Sequence, residues 1–524
     1  MKARRQWTAG YLFLGVAWIG TTVVWLTYIN TPFFSIDEGM QAMIASRIPH
    51  GEWPLIDYWD NKPPLTPFIY AAAFAFLGKS MLSIHLVALA FRWASLAVLF
   101  AIARRFIPGW AAGLAALFDA VLCTTLFHPW EFFAANTEVF MVLFYSLSLY
   151  FALTGRTSPA ICRWFLSGLM AGIGAWIKQP ALFTLAAAAV LAWNPGPGSW
   201  RGLFRRCAAI CAGLVAALAP VIAIYWRLGG ADDLFFWTVI WPVRYSELIA
   251  SAERWGRLFY TGGLMVKSNG LLLALVASGV GCALMGTTRR WPRCALSDGV
   301  GATAAALVWL TVSLAAVYST GRCYAHYFYQ AAPGLALFAA HGVSCAVNSL
   351  IRRQRTRGFA ALPVLLTAAA VAWPVWSQHG PGLVRLVRER RGTVVEMTWA
   401  YGPLEQAVAD HLRQRLVPGE PVFVWGFCPQ ILFLSDAAPA CTGFSCEYYW
   451  PPRLSDGPAE LIPGSRAQLM AELQATNPRV VVDTHPSGYF NAPPPSVVPG
   501  LAEWIASNYS VEANIGNFII YKRR

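Results

Sequence analysis

Charge is scarce in this sequence: 13% of its 524 residues are Asp, Glu, Lys or Arg, while 57% are hydrophobic and the mean hydropathy is +0.47. A soluble globule has nowhere to bury so much apolar surface, so soluble classes are excluded and a polytopic α-helical membrane protein is expected. Acidic residues are the rarer sign, 26 against 40 Lys and Arg. The resulting net charge of +14 does not indicate nucleic acid. The basic residues stand in short clusters between apolar runs, where the positive-inside rule expects them. The eleven cysteines contain no CxxC pair and no Cys/His zinc spacing. Eight lie in or beside apolar runs and read as small core hydrophobes. Cys441 and Cys446 are compatible with a disulfide and equally with two free thiols. Neither an internal repeat nor a low-complexity tail is present. The first apolar run, preceded by Lys2, Arg4 and Arg5, has no small-residue cleavage site behind it and reads as a retained anchor.

What is abundant is apolar helix-length sequence, with 24 Trp and 19 Tyr suited to interfacial belts. About eleven transmembrane helices are expected, near 9–29, 84–103, 109–127, 139–154, 164–178, 181–194, 207–226, 258–285, 299–319, 328–347 and 358–378. The basic clusters fall in alternate loops, from Lys2, Arg4 and Arg5 through Arg104/Arg105, Arg156/Arg163, Arg201/Arg205/Arg206 and Arg289/Arg290/Arg293 to Arg352–Arg357. That alternation makes their face cytoplasmic and leaves the C-terminus outside. Residues 65–78 must then lie along the outer surface, since a full span there would invert every later basic loop. Two domains are expected, a membrane domain over 1–378 with a first outer loop at 30–83, and an extracytoplasmic (periplasmic) α/β domain over 379–524. In the latter, 421–427, 479–485 and 511–524 read as strands, and 465–477 as a helix with a Ser N-cap.

This topology gathers polar residues on the outer face. Ionisable groups at a membrane boundary are costly and usually serve a function or a partner. The outer loops bring carboxylates (Asp37, Glu38, Glu138), cations (Lys62, Lys178, Arg322) and the block Tyr324, His326 and Tyr327. Such a mixture suits a reaction on an anionic lipid headgroup. Lys and Arg hold a phosphate, and a carboxylate accepts a proton from an attacking hydroxyl. A departing phosphate is already a stable anion and needs no general acid. Each residue also has a plain structural reading. Lys62 and Lys178 can snorkel, Glu138 can sit at a helix N-terminus, and one of Asp37 and Glu38 can serve as a cap. His50, His128 and His326 lack ligand spacing within one helix, so no cofactor is indicated and a divalent metal is left open.

The stretch "IDEGMQAMIASRI" followed by "DYWDNKPPLTPFIYA" resembles the first outer loop of GT-C glycosyltransferases that use polyprenyl-phosphate sugars. These include aminoarabinose transferases, protein O-mannosyltransferases and galacturonosyltransferases acting on lipopolysaccharide core. "FAANTEVF", "WIKQPAL" and "YAHYFYQAAPGLAL" resemble later blocks in the same order, with a weaker continuation in "VFVWGFCPQILFL". The resemblance implies the GT-C fold, with juxtamembrane helices in the first loop and an outer C-terminal domain. It implies an inverting transfer from a polyprenyl-phosphate sugar donor to an extracytoplasmic acceptor. Asp37 falls on the family's first-loop aspartate, with Glu38 beside it, and Glu138 on the acidic residue of the second outer loop. Lys62, Lys178, Arg322, Tyr324, His326 and Tyr327 fall near the lipid phosphate. The chain departs from aminoarabinose transferases at Gly39-Met40-Gln41, where they carry Pro-Arg-Tyr, and at Asn61, where they carry Glu. The alternative from another class is a transporter or lipid flippase, though inverted repeats and mid-membrane charges are not evident.

Overall fold

A computed structural model describes residues 2–127, 133–158, 160–193, 199–247, 249–286, 299–352, 361–390, 402–450, 460 and 462–524. His128 and the basic residues at 289–293 and 353–357 lie outside them. The chain divides into two units. The first comprises Met1–Asn30, His85–Gly229 and Pro242–Thr393, and the second Thr31–Ile84, Gly230–Trp241 and Val394–Arg524. The loop at 31–84 is thus grouped with the C-terminal residues, although the sequence reading placed it with the spans.

The first unit is helical, as a chain with no water to satisfy its backbone must be. Thr8–Thr27, Met81–Ala103, Thr137–Arg156, Ser199–Arg227 and Ser251–Met285 are long and apolar enough to cross a membrane. Shorter apolar helices include Gly109–Thr125 and Thr303–Ser319. Each of the expected spans overlaps helical residues, and the expected span at 181–194 is a 3-10 turn, Gln179–Phe183, followed by the helix Thr184–Ala192. That helix is nine residues long, about 14 Å at 1.5 Å per residue.

Small residues set the closest helix contacts. A Cβ on Gly168 would lie 1.8 Å from the Ile210 carbonyl oxygen, and one on Gly213 would lie 1.9 Å from that of Phe165. The helices Cys162–Ile177 and Ser199–Arg227 therefore meet backbone to backbone, the packing that small residues permit in lipid. Polar side chains close the end of Gly109–Thr125, whose last carbonyls have no partner within the helix. The Asn269 amide donates to the Thr125 carbonyl at 2.8 Å and accepts from the Thr125 hydroxyl at 2.9 Å. Asn269 also breaks the helix Ser251–Gly286, with φ −135° and ψ 30°. His379 Nε2 lies 2.8 Å from the Thr124 carbonyl oxygen, and its Nδ1 lies 2.9 Å from the Tyr28 hydroxyl.

The second unit carries a five-stranded sheet ordered β2-β1-β3-β5-β4. Its strands are β1 (Pro421–Trp425), β2 (Ala438–Pro439), β3 (Val480–Asp483), β4 (Tyr509–Ile515) and β5 (Phe518–Arg523). β1 pairs in parallel with β2 and β3, and β5 runs antiparallel to β3 and β4. The expected α/β character is present, with two differences in detail. The expected final strand is a hairpin, because Gly516 and Asn517 both take positive φ (56° and 66°), the signature of a two-residue turn. Ser465 is not the N-cap of its helix. Gly464 holds that position, and the Glu460 carboxylate accepts from the Gly464 and Arg466 amides, taking the capping role. Cys441 and Cys446 are free and buried.

The first loop is fastened into this unit through its backbone. The Trp59 amide donates to the Thr442 carbonyl at 3.1 Å, and the Tyr448 hydroxyl donates to the Trp59 carbonyl at 2.9 Å. The Trp59 ring lies 5.6 Å from Trp237 and from Tyr448, so the segments 31–84, 230–241 and 394–524 share one aromatic core. Gly39 faces Gln430, where a Cβ would lie 3.1 Å from the Gln430 amide nitrogen.

Replacing Gly168 with valine should overpack its helix crossing and cost about 1–3 kcal/mol, seen as a lower midpoint of thermal unfolding in detergent. Gly15, with open space around its Cβ position, should tolerate the same change.

Candidate active site

In the second unit the site begins with a helix start. Ser35 is the N-cap of Ile36–Arg47, in extended conformation, and its hydroxyl accepts from the Asp37 amide at 3.0 Å. Glu38, fully buried, accepts from the Phe34 amide at 2.6 Å. Together they resemble a capping box, which explains why one of two adjacent carboxylates turns inward. Asp37 is left on the first turn, where the helix dipole favours negative charge. Its side chain is 32% exposed, and its Oδ1 lies 3.1 Å from Lys62 Nζ.

Lys62 is nearly buried, and burial works against its charge. The carboxylates of Asp37 and Asp60 outweigh that effect and hold its pKa above the ordinary lysine value. Asp60 is buried, which pushes its pKa up against the pull of Lys62. Its Oδ2 accepts from Gln41 Nε2 at 2.5 Å, and it also accepts from the Lys62 backbone amide. The Gly39-Met40-Gln41 departure thus has a physical content. Gly39 admits Gln430, and Gln41 supports the acid beside Lys62. The pairing of Gln41 with Asp60 was not visible in sequence, since an Asp and a Gln nineteen positions apart carry no spacing signal. Farther along the loop, Arg47 pairs with Glu52, which also accepts from the Tyr58 hydroxyl. Burial would raise the Glu52 pKa, but these two hydrogen bonds hold it below the usual value.

In the first unit, Glu138 opens the helix Thr137–Arg156 and is 2% exposed. Lys178 ends the helix Cys162–Ile177 in an extended conformation, with its ammonium on the Glu138 carboxylate. Its Nζ also lies 3.7 Å from the centre of the Tyr327 ring, a cation–π contact. His326 packs edge-on to Tyr327 at 4.7 Å and stacks with Tyr324 at 5.8 Å. The 3-10 turn Ala325–Gln330 presents His326 and Tyr327. Arg322 follows Gly321 (φ 70°), and its guanidinium lies 4.2 Å from the Tyr245 ring centre. The candidates therefore form two sets. Asp37 pairs with Lys62 above Glu38, while Glu138, Lys178, Tyr327, His326 and Tyr324 form a second group, with Arg322 on its own aromatic partner. Among the described residues, no group of three or more His, Cys, Asp or Glu is arranged to hold a metal.

A profile of the dolichyl-phosphate-mannose-protein mannosyltransferase family matches residues 61–202, which include Lys62, Glu138 and Lys178. None of the curated proteins matches the chain in sequence. Solved structures match along its length. ArnT from Cupriavidus metallidurans bound to undecaprenyl phosphate aligns with TM-score 0.61 at 15% identity, covering 98% of this chain and 97% of that one. The apo state of the same protein gives 0.56 at 14% identity, with the same coverage. The archaeal oligosaccharyltransferase AglB from Archaeoglobus fulgidus, in complex with an inhibitory peptide and a dolichol-phosphate, gives 0.54 at 12% identity, covering 98% of this chain and 74% of that one.

The chain has the GT-C fold.

Within that fold the two departures, Gly39–Gln41 and Asn61, are local to the first loop. Lys62, whose pKa folding raises, contributes stability that is fully present below the ordinary lysine value of 10.5 and is lost only as pH rises beyond it. Replacing Lys62 with methionine leaves Asp37 and Asp60 without their shared cation. The loss should be about 2 kcal/mol, less than for a fully buried pair because Asp37 is one-third exposed. The deficit should shrink as pH falls below about 5 and the carboxylates protonate. Denaturation midpoints measured from pH 4 to 8 would check it.

Proposed function

We propose that the chain is an inverting glycosyltransferase that moves a sugar from a polyprenyl-phosphate donor to an extracytoplasmic acceptor. The acceptor is a glycolipid, lipopolysaccharide, polysaccharide or protein. The observation that carries this reading is the Asp37–Lys62 pair, a partly exposed carboxylate bound to a shielded cation at a helix start. The GT-C fold, solved elsewhere with undecaprenyl phosphate and with a dolichol-phosphate, supports it.

In this reading Asp37 stays paired with Lys62 until the donor phosphate arrives and Lys62 turns to it. Asp37 then accepts the proton of the acceptor hydroxyl as the hydroxyl oxygen attacks the anomeric carbon. The bond from that carbon to the phosphate oxygen breaks on the opposite face, which inverts the configuration. The electron pair leaves with the polyprenyl phosphate. The family resemblance assigns Lys62, Lys178 and Arg322 to that phosphate, Lys as a point charge and Arg with two parallel hydrogen bonds. Tyr324, His326 and Tyr327 shape the phosphate subsite around Lys178. Glu138 pairs with Lys178, and Glu38 fixes the helix start from which Asp37 projects. The assigned topology is a bacterial inner (plasma) membrane protein with a cytoplasmic N-terminus and the 379–524 domain outside.

Asp37→Asn keeps the shape and removes the base, so transfer from a purified polyprenyl-phosphate sugar should fall by about 10²–10⁴-fold. Undiminished transfer would remove Asp37 from the mechanism. A phosphatase reporter fused after Arg524 should be active outside the cytoplasm, and cytoplasmic activity would overturn the topology.

A further inference from the structure

The mechanism leaves unused a charged pair inside the first unit. Contrary to the expectation that no charge lies at mid-membrane, Arg92 lies midway along Met81–Ala103, and Asp119 lies in Gly109–Thr125. Their side chains are 1% and 0% exposed. Arg92 Nη2 donates to Asp119 Oδ2 at 2.6 Å and to the Asp119 backbone carbonyl at 2.9 Å. The Cys123 thiol lies 3.8 Å from Asp119 Oδ1. Buried ion pairs are weak evidence for stability, because desolvation consumes most of the attraction. Two apolar side chains of similar volume would join these helices as well. A charge retained at mid-span therefore asks for another purpose.

The other contact of the guanidinium points to one. Its carbon lies 5.3 Å from the centre of the Tyr329 ring. Tyr329, 1% exposed, belongs to the turn Ala325–Gln330 that also carries His326 and Tyr327. Two residues before it, Tyr327 covers the Lys178 ammonium at 3.7 Å. A short 3-10 turn has few hydrogen bonds of its own and needs an external anchor to hold one geometry. A planar guanidinium fixed by two hydrogen bonds to one aspartate is a rigid plate on which an aromatic ring can rest.

We propose that the Arg92–Asp119 pair is a positioning device for the phosphate subsite: it anchors Tyr329, and so holds Tyr327 over Lys178. Asp119 orients the guanidinium, the guanidinium seats Tyr329, and the turn carries that placement to the ring that screens Lys178. The inference rests on the glycosyltransferase reading for its functional meaning. Its geometric content, the shielding of Lys178, is measurable without activity.

Two variants of the full-length protein in detergent test it. Arg92→Met/Asp119→Leu removes both charges and keeps apolar volume, so its thermal unfolding midpoint should stay near wild type. Arg92→Lys keeps the charge but offers no plate for Tyr329. In both, acetylation of Lys178 by an amine reagent, followed by mass spectrometry, should be several-fold faster than in wild type. With a polyprenyl-phosphate sugar as donor, KM should rise roughly tenfold with kcat within about threefold, the size expected when a remote positioning contact is lost. Wild-type Lys178 labelling together with wild-type donor KM in the folded double variant would overturn the proposal and leave the pair a helix clamp. If the double variant does not fold, Lys178 labelling in Arg92→Lys decides by the same criterion. If the wild-type protein transfers no sugar, the glycosyltransferase reading fails, and the labelling rates still decide whether the pair shields Lys178.

Discussion

A charge withdrawn from water is costly unless a counter-charge meets it inside the same fold, and this constraint shapes three ion pairs among the described residues. Arg92 meets Asp119, Lys178 meets Glu138, and Lys62 meets Asp37. The three differ in how completely they are sealed. The first is closed on both sides, the second is nearly so, and the third keeps a carboxylate one-third exposed. That gradation separates a pair that can only support from a pair that can exchange partners. The same constraint acts on the backbone. The carbonyls ending Gly109–Thr125 are met by side chains from two other helices, at the position where Asn269 breaks its own helix.

The helix start at Ser35 shows how ordinary local chemistry prepares a reactive group. The N-cap hydroxyl and the inward Glu38 occupy the amides that would otherwise be orphaned. Asp37 is thereby released from capping and left in the field of the helix N-terminus. Two neighbouring carboxylates receive different fates from their position on the first turn alone.

Much of this was legible in sequence. The apolar runs located the helices, since length and composition suffice for that, and the residue types of the loops named Asp37, Lys62, Glu138 and Lys178 singly, while their pairing came from the structure. The capping question at Asp37 and Glu38 was also visible, but only geometry decided which of them turned inward. Less legible were relations between distant residues. Asp60 and Gln41 meet because the loop folds back, and Arg92 and Asp119 each look like an isolated blemish in an apolar helix. The C-terminal hairpin was missed for a different reason. Gly516-Asn517 was read as part of a continuous apolar-polar run, although both residues favour positive φ. At the helix Ser465–Thr476, a serine in the expected place suggested a cap that a glutamate five residues earlier performs.

The contact between Gly39 and Gln430 ties two stretches separated by almost four hundred positions. A side chain at position 39 would press on the backbone nitrogen at 430, and a backbone cannot rotate out of the way as a flexible side chain can. The two stretches are therefore not free to drift independently in evolution. A relative carrying a bulkier residue at the first site must seat its C-terminal segment differently. Exchanging C-terminal domains between such proteins should succeed best when the matching first loop travels with them.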